Sequence, residues 1–169
     1  MFVAFSVGKW VQEVCDELYE LIAKRTQQPT YYNKISFCTD GNDQNENAIL
    51  RFFNKDCVNY GQIIKDKEKQ KVIGSHKRKV LGTMSYDKIS IAHVDGLCKA
   101  FRERGKCFVR RASTFAKKRE TIWIFMAVYQ AYHNTIKVKE GETPCMREGM
   151  TNHVWSWGEL LNTKISVEN

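Results

Sequence analysis

Hydrophobic and polar positions along the 169-residue chain follow two periods, and each change of period marks an element. Met1 to Val7 is an unbroken apolar run rich in strand formers and closed by Gly8, which predicts a strand buried on both faces. From Lys9 to Arg25 the spacing becomes helical: Val11, Val14, Leu18, Leu21 and Ile22 form one stripe, while Glu13, Glu17, Glu20 and Lys24 face outward. Gln27, Gln28 and Pro29 end that helix. Tyr32 to Thr39 predicts a second strand with Ile35 and Phe37 inward, stopped by Asp40-Gly41-Asn42. Asp43 and Glu46 stand at capping-box spacing, so a helix from Gln44 to about Phe53 follows, and Tyr60 to Ile64 predicts a third short strand.

The middle of the chain is polar. Lys65 to Lys71 alternates in charge and predicts a solvated loop, and Gly74 to Lys79 a basic turn inside a hairpin over Val72 to Leu81. His93 to Arg119 has Leu97, Phe101, Phe108 and Ala112 at helical spacing. A second edge carries Asp95, Lys99, Arg102, Lys106 and Arg110, so one long helix is expected. Ser113 and Thr114 break it ahead of a second helix from about Phe115 to Asn134, apolar nearly all round and therefore expected in the core. Near the end, Thr143-Pro144 through Gly149 predicts a short helix with Pro first and Gly past its end, and Ser156 with Glu159 caps another ahead of Leu160 and Leu161. The order of elements gives an α/β domain with parallel character.

Composition sharpens this in one respect. A hydrophobic share of 43% is that of a chain able to form a core, but the formal charge of +8 is unevenly placed. Between Lys65 and Arg119 there are 17 Lys and Arg against 5 Asp and Glu, which points to a polyanionic partner, most simply nucleic acid. The six cysteines form no C-x-x-C pair and mostly lie in apolar runs, so reduced, structural thiols and a cytoplasmic setting are expected. The longest apolar run, Thr121 to Tyr132, is too short to span a bilayer, and no signal-peptide order opens the chain; no membrane partner is expected.

Chemistry is sparse. P-loop, G-x-G-x-x-G, G-x-S-x-G and H-E-x-x-H patterns are absent, and the four histidines are scattered. Two acids remain. Asp40 falls at the carboxyl end of a strand, where functional side chains gather in open α/β sheets, although Asp before Gly also simply forms turns. Asp95 heads a basic helical edge, where the helix dipole also favours an acid. Taken together they fit two-metal phosphoryl transfer, in which Mg²⁺ or Mn²⁺ ions held by carboxylates clamp a phosphodiester.

The motifs F-x-V-G-K, T-D-G, G-x-x-K-R-K, H-V-D, R-R-x-x-x-F-x-K-K and T-P-x-M-x-x-G-x-T-x-H-V-W-S occur in an order that resembles insertion-sequence transposases of the DDE class, in particular the insertion-sequence-one type. The resemblance runs over nearly the whole chain and is most specific at Thr143 to Trp155 and Arg110 to Lys118. It implies an RNase H-like mixed sheet flanked by helices and lacking its first strands, over residues 1–136, with a helical C-terminal tail over 137–169. It also implies DNA as partner, at element ends and target. Asp40 matches the family's second catalytic acid, and Asp95 stands where the family carries a Glu; both would hold Mg²⁺ or Mn²⁺. Lys77, Arg78, Lys79, Lys99, Arg102, Lys106, Arg110, Arg111, Lys117 and Lys118 would contact phosphates. The family's first catalytic Asp has no counterpart here, and Asp for Glu shortens the side chain by roughly 1.5 Å. The expectation is therefore a truncated transposase, inactive alone. The alternative is a non-catalytic DNA-binding or regulatory fragment that forms a homodimer or pairs with intact transposase.

Overall fold

A computed structural model describes residues 1–9, 11–69, 71–105, 108 and 118–163. The chain forms two compact units, residues 6–116 and residues 1–5 with 117–169. No helix among the described residues is long and apolar enough to cross a membrane.

The first unit is mixed α/β. Helix α1 (Gln12–Arg25) is followed by strand β1 (Ile35–Asp40), helix α2 (Asp43–Phe52) and the long strands β2 (Val58–Glu68) and β3 (Lys71–Leu81). The sheet order is β1-β2-β3, with β1 parallel to β2 and β2 antiparallel to β3. Asn42, one residue before the expected Asp43, caps α2: its side chain accepts from the Gln44 amide. Tyr19 of α1, Ala48, Ile49 and Phe53 at α2, and Val58 and Tyr60 of β2 form the buried core against one face of the sheet, with Phe37 packed edge-on to Tyr19 and Phe53 at 5.6 and 5.0 Å. The buried stripe of α1 runs through Cys15, Tyr19, Ile22 and Ala23, while Val11 lies exposed at the N-cap. On the other face, buried Ile89 presses against Gly61, where a Cβ would stand 2.6 Å from Ile89 Cγ1. That contact holds the loop around a 3₁₀ turn, Tyr86–Lys88, against the sheet.

Three expectations fail here. Residues 65–68 and 71 are not in a loop, and Gly74 to Lys79 is not a turn: all lie in an antiparallel ladder that runs from Tyr60–Leu81 out to Glu68–Lys71. Alternating charge is as natural to an exposed strand as to a loop, because period two sends the two signs to opposite faces. Helix α3 (Ala92–Arg104) then ends at Gly105, short of the expected break at Ser113, since Gly105 leaves in extended backbone after its amide bonds Phe101 O. Phe101 is buried and stacks on Phe108 at 5.7 Å, so the apolar stripe is used across the helix end. The expected break at Ser113 and Thr114 lies outside the described residues.

In the second unit, α4 (Arg119–Thr135) is followed by the short helices α5 (Pro144–Arg147) and α6 (Trp157–Asn162). Thr143 caps α5, Gly149 follows with φ +68°, and Ser156 and Glu159 form the reciprocal capping box at α6. Trp157 stacks on Tyr132 at 5.5 Å. Helix α4 is not buried all round: Trp123, Ile124 and Val128 are half exposed or more. Nor do the first residues form a strand. The side-chain amides of α4 satisfy their backbone: Asn134 accepts from the Phe2 amide at 2.8 Å and donates to Phe2 O, and Gln130 Nε2 donates to Phe2 O and Val3 O, both at 2.9 Å.

Candidate nucleic-acid interface

Asp40 is the last residue of β1, paired with Ile63 of the parallel strand β2. Its side chain is exposed, and Oδ1 accepts from Asn45 Nδ2 of α2 at 3.1 Å. The residue is fixed from below by a one-way hydrogen-bond relay. Gln62 Nε2 donates to the Tyr60 hydroxyl at 2.7 Å. Tyr60 and Thr39 Oγ1 lie 2.8 Å apart, and the Thr39 hydroxyl donates to Asp40 O at 2.7 Å, so the shared proton comes from Tyr60. Burial raises the Tyr60 pKa, an effect these hydrogen bonds partly offset, and the phenol stays protonated. Nearby, burial also pushes the Cys15 thiol up, with Asp16 and Asp40 acting in the same direction, which favours the protonated thiol.

Asp40, Gly41 and Asn42 line an open cleft of about 310 Å³ with Ile63, Ile64, Lys65 and Lys67. Asp95 is not among the lining residues; it lies exposed in the first turn of α3. Among the described residues no group of three or more His, Cys, Asp or Glu is placed to hold a metal ion. The cleft offers one carboxylate, already hydrogen-bonded, beside two lysines that repel a cation, and by itself it does not fit Mg²⁺ or Mn²⁺.

The basic residues are sorted by the sheet. In β2 and β3 the register places Ile64 opposite His76 and Gln62 opposite Arg78, on the face that packs α1 and α2. On that face charges are paired: Arg78 with Glu46 of α2 at 2.8 Å and His76 with Asp66 at 2.8 Å. The other face carries Lys65 and Lys67 from β2 and Lys77 and Lys79 from β3, because Ile63 pairs with Lys77 and Gly61 with Lys79. Lys77 Nζ donates to Tyr86 O, and Lys79 lies 4.3 Å over the Tyr86 ring. Among the described residues none of these four lysines forms an ion pair with a carboxylate. Lys77, Arg78 and Lys79 are therefore not one basic cluster: Arg78 faces away from its neighbours and is neutralised. Lys65 and Lys67, assigned to a loop from their charge alternation, belong with Lys77 and Lys79; the K-D-K-E order was the available signal.

On α3, Lys99 and Arg102 share the edge with Asp95, and Lys99 pairs with Glu103 at 3.8 Å. Lys118 is exposed ahead of α4. Lys106, Arg110, Arg111 and Lys117 lie outside the described residues. No protein-family model matches the chain, and neither a curated protein nor a solved structure matches it.

Proposed function

We propose that this chain is part of the catalytic domain of a DDE-class insertion-sequence transposase with an RNase H-like fold, and that it engages DNA without cutting it unaided. One observation carries the reading. Asp40 ends a strand of a parallel pair, at the mouth of a cleft whose other charged residues are lysines, an arrangement suited to a phosphate backbone beside a carboxylate. The resemblance of T-D-G and H-V-D to the family's acidic positions supports the same assignment for Asp40 and Asp95. No cleavage step is assigned to these residues, since the cleft holds a single carboxylate. Purified chain incubated with Mn²⁺ and duplex DNA carrying the element's ends is expected to leave it intact. Nicking that disappears in Asp40→Ala would overturn the inactivity.

The single-carboxylate cleft equally favours a second reading, a non-catalytic DNA-binding fragment that pairs with intact transposase and lowers its activity. Under that reading DNA affinity is the same in wild type, Asp40→Ala and Asp95→Ala, and added chain slows cleavage by the intact enzyme.

A further inference from the structure

The pairing of β1 with β2 ends at Asp40–Ile63, but the β2–β3 ladder continues to Glu68–Lys71. The last five residues of β2 thus form, with β3, a bare two-stranded arm about 17 Å long. Two strands alone are marginal in water, and this arm gains little from packing: apart from Ile64 and Asp66, its residues are exposed throughout. Four lysines follow one another along this strand pair, Lys65 and Lys67 on the arm and Lys77 and Lys79 where β2 is still flanked by β1. Counting levels along the ladder from Gly61, Lys79 lies at the first level, Lys77 at the second, Lys65 at the third and Lys67 at the fourth. All four are on one face, and the row crosses from β3 to β2 midway. Successive levels are about 6.6 Å apart, so the row spans about 20 Å. Neighbouring phosphates on one strand of a duplex rise about 3.4 Å along the axis but, because the backbone also winds around it, stand roughly 6 to 7 Å apart, so each lysine step matches about one phosphate.

We propose that this lysine row runs along a nucleic-acid phosphate backbone, with the Asp66- and Glu68-bearing face of the arm turned away from it. A row one residue wide, bent only by the register shift between Asp66 and Lys67, matches a linear polyanion better than a planar one, which favours a nucleic acid over a lipid surface. The choice of DNA as the nucleic acid rests on the transposase reading; the row itself does not.

The test is fluorescence anisotropy of a labelled 25-base-pair DNA duplex with the full chain across a salt series. The same series is run with the RNA duplex of the same sequence and with phosphatidylserine-containing vesicles, since Val72 and Ile73 leave apolar side chains 57% and 67% exposed beside the lysines. Lys67→Gln and Lys77→Gln are each expected to weaken duplex binding on the order of 3- to 10-fold near 0.1 M salt and to lower the log–log salt slope by about 0.9. Changing Lys65, Lys67, Lys77 and Lys79 together to Gln lowers it by about 3 to 4. Arg78→Gln removes the same charge from the opposite face, one residue from Lys77, and is expected to bind like wild type. Equal losses for Arg78→Gln and Lys77→Gln would overturn the proposal, as would lysine-dependent binding to vesicles without binding to either duplex. Lysine-dependent binding of the RNA duplex alone would support the row and overturn the transposase reading.

Discussion

Removing the Tyr60 hydroxyl tests the relay beneath Asp40. Tyr60 is fully buried and its hydroxyl is the acceptor for Gln62 Nε2, while Gln62 is only 1% exposed and its Oε1 has no partner. In Tyr60→Phe the bond to Thr39 is lost and the Gln62 amide is left without an acceptor in the core. Losing one net hydrogen bond and stranding one buried donor together cost about 2–3 kcal/mol. In Gln62→Met a bond to Tyr60 is lost, but an unpartnered oxygen leaves with it, and the expected change is less than about 1 kcal/mol. When both are changed no donor is stranded, so the double variant is expected to lose only about 1 kcal/mol, less than Tyr60→Phe alone. Hydrogen exchange at the β1 and β2 amides measures this within the unit concerned, undisturbed by the stability of the second unit. A Tyr60→Phe cost below about 0.5 kcal/mol, or strict additivity in the cycle, would refute the relay.

Other expectations follow from the same packing. Gly61→Ala places a methyl 2.6 Å from Ile89 Cγ1 and is expected to destabilise the first unit by about 1–3 kcal/mol, relieved by Ile89→Ala in the double variant; a neutral single substitution in urea denaturation would contradict the contact. Ile49→Ala, in a site with no exposure, is expected to cost about 2–5 kcal/mol in the same assay, and a cost under 1 kcal/mol would mean the core is looser than described. Glu159 accepts from the Ser156 amide and from His153, which lowers its pKa from 4.5 to about 2. Because the folded value is depressed, its contribution to α6 is complete above about pH 4.5 and is lost as pH falls through about 2. Carbon-13 titration should show this, with His153→Ala moving the midpoint upward; a wild-type midpoint near 4.5 would contradict the capping box.

Where a local rule acts alone, the sequence was enough. Pro144 and Gly149 bracket α5, Ser156 and Glu159 open α6, and Asp40-Gly41-Asn42 closes β1, because each is decided by a cap or a turn residue. Where partners distant in sequence decide, it was not. Met1 to Val7 has the composition of a strand, yet the amides of Gln130 and Asn134 take up the backbone at Phe2 and Val3. Lys65 to Lys71 reads as solvated because only pairing with β3 shows that its charges lie on two faces. Asp40 was legible as a strand-end acid, while Lys65 and Lys67 beside it had only the K-D-K-E alternation to mark them, and the cleft they line places them next to Asp40. The expectation that Asp95 accompanies Asp40 came from composition and resemblance, and α3 places Asp95 outside that cleft.

The central claim is that the Asp40 cleft and the lysine row face the same polyanion, and a neutral isostere at Asp40 tests it most directly. Asp40→Asn keeps an acceptor for Asn45 Nδ2 and removes one negative charge next to Lys65 and Lys67. A carboxylate held about 4 Å from a phosphate in water costs about 1 kcal/mol, so in metal-free buffer at low salt the variant should bind duplex DNA roughly 5-fold more tightly than wild type. Unchanged or weaker binding would show that no phosphate lies near Asp40, and the nucleic-acid assignment of the cleft would fail with it.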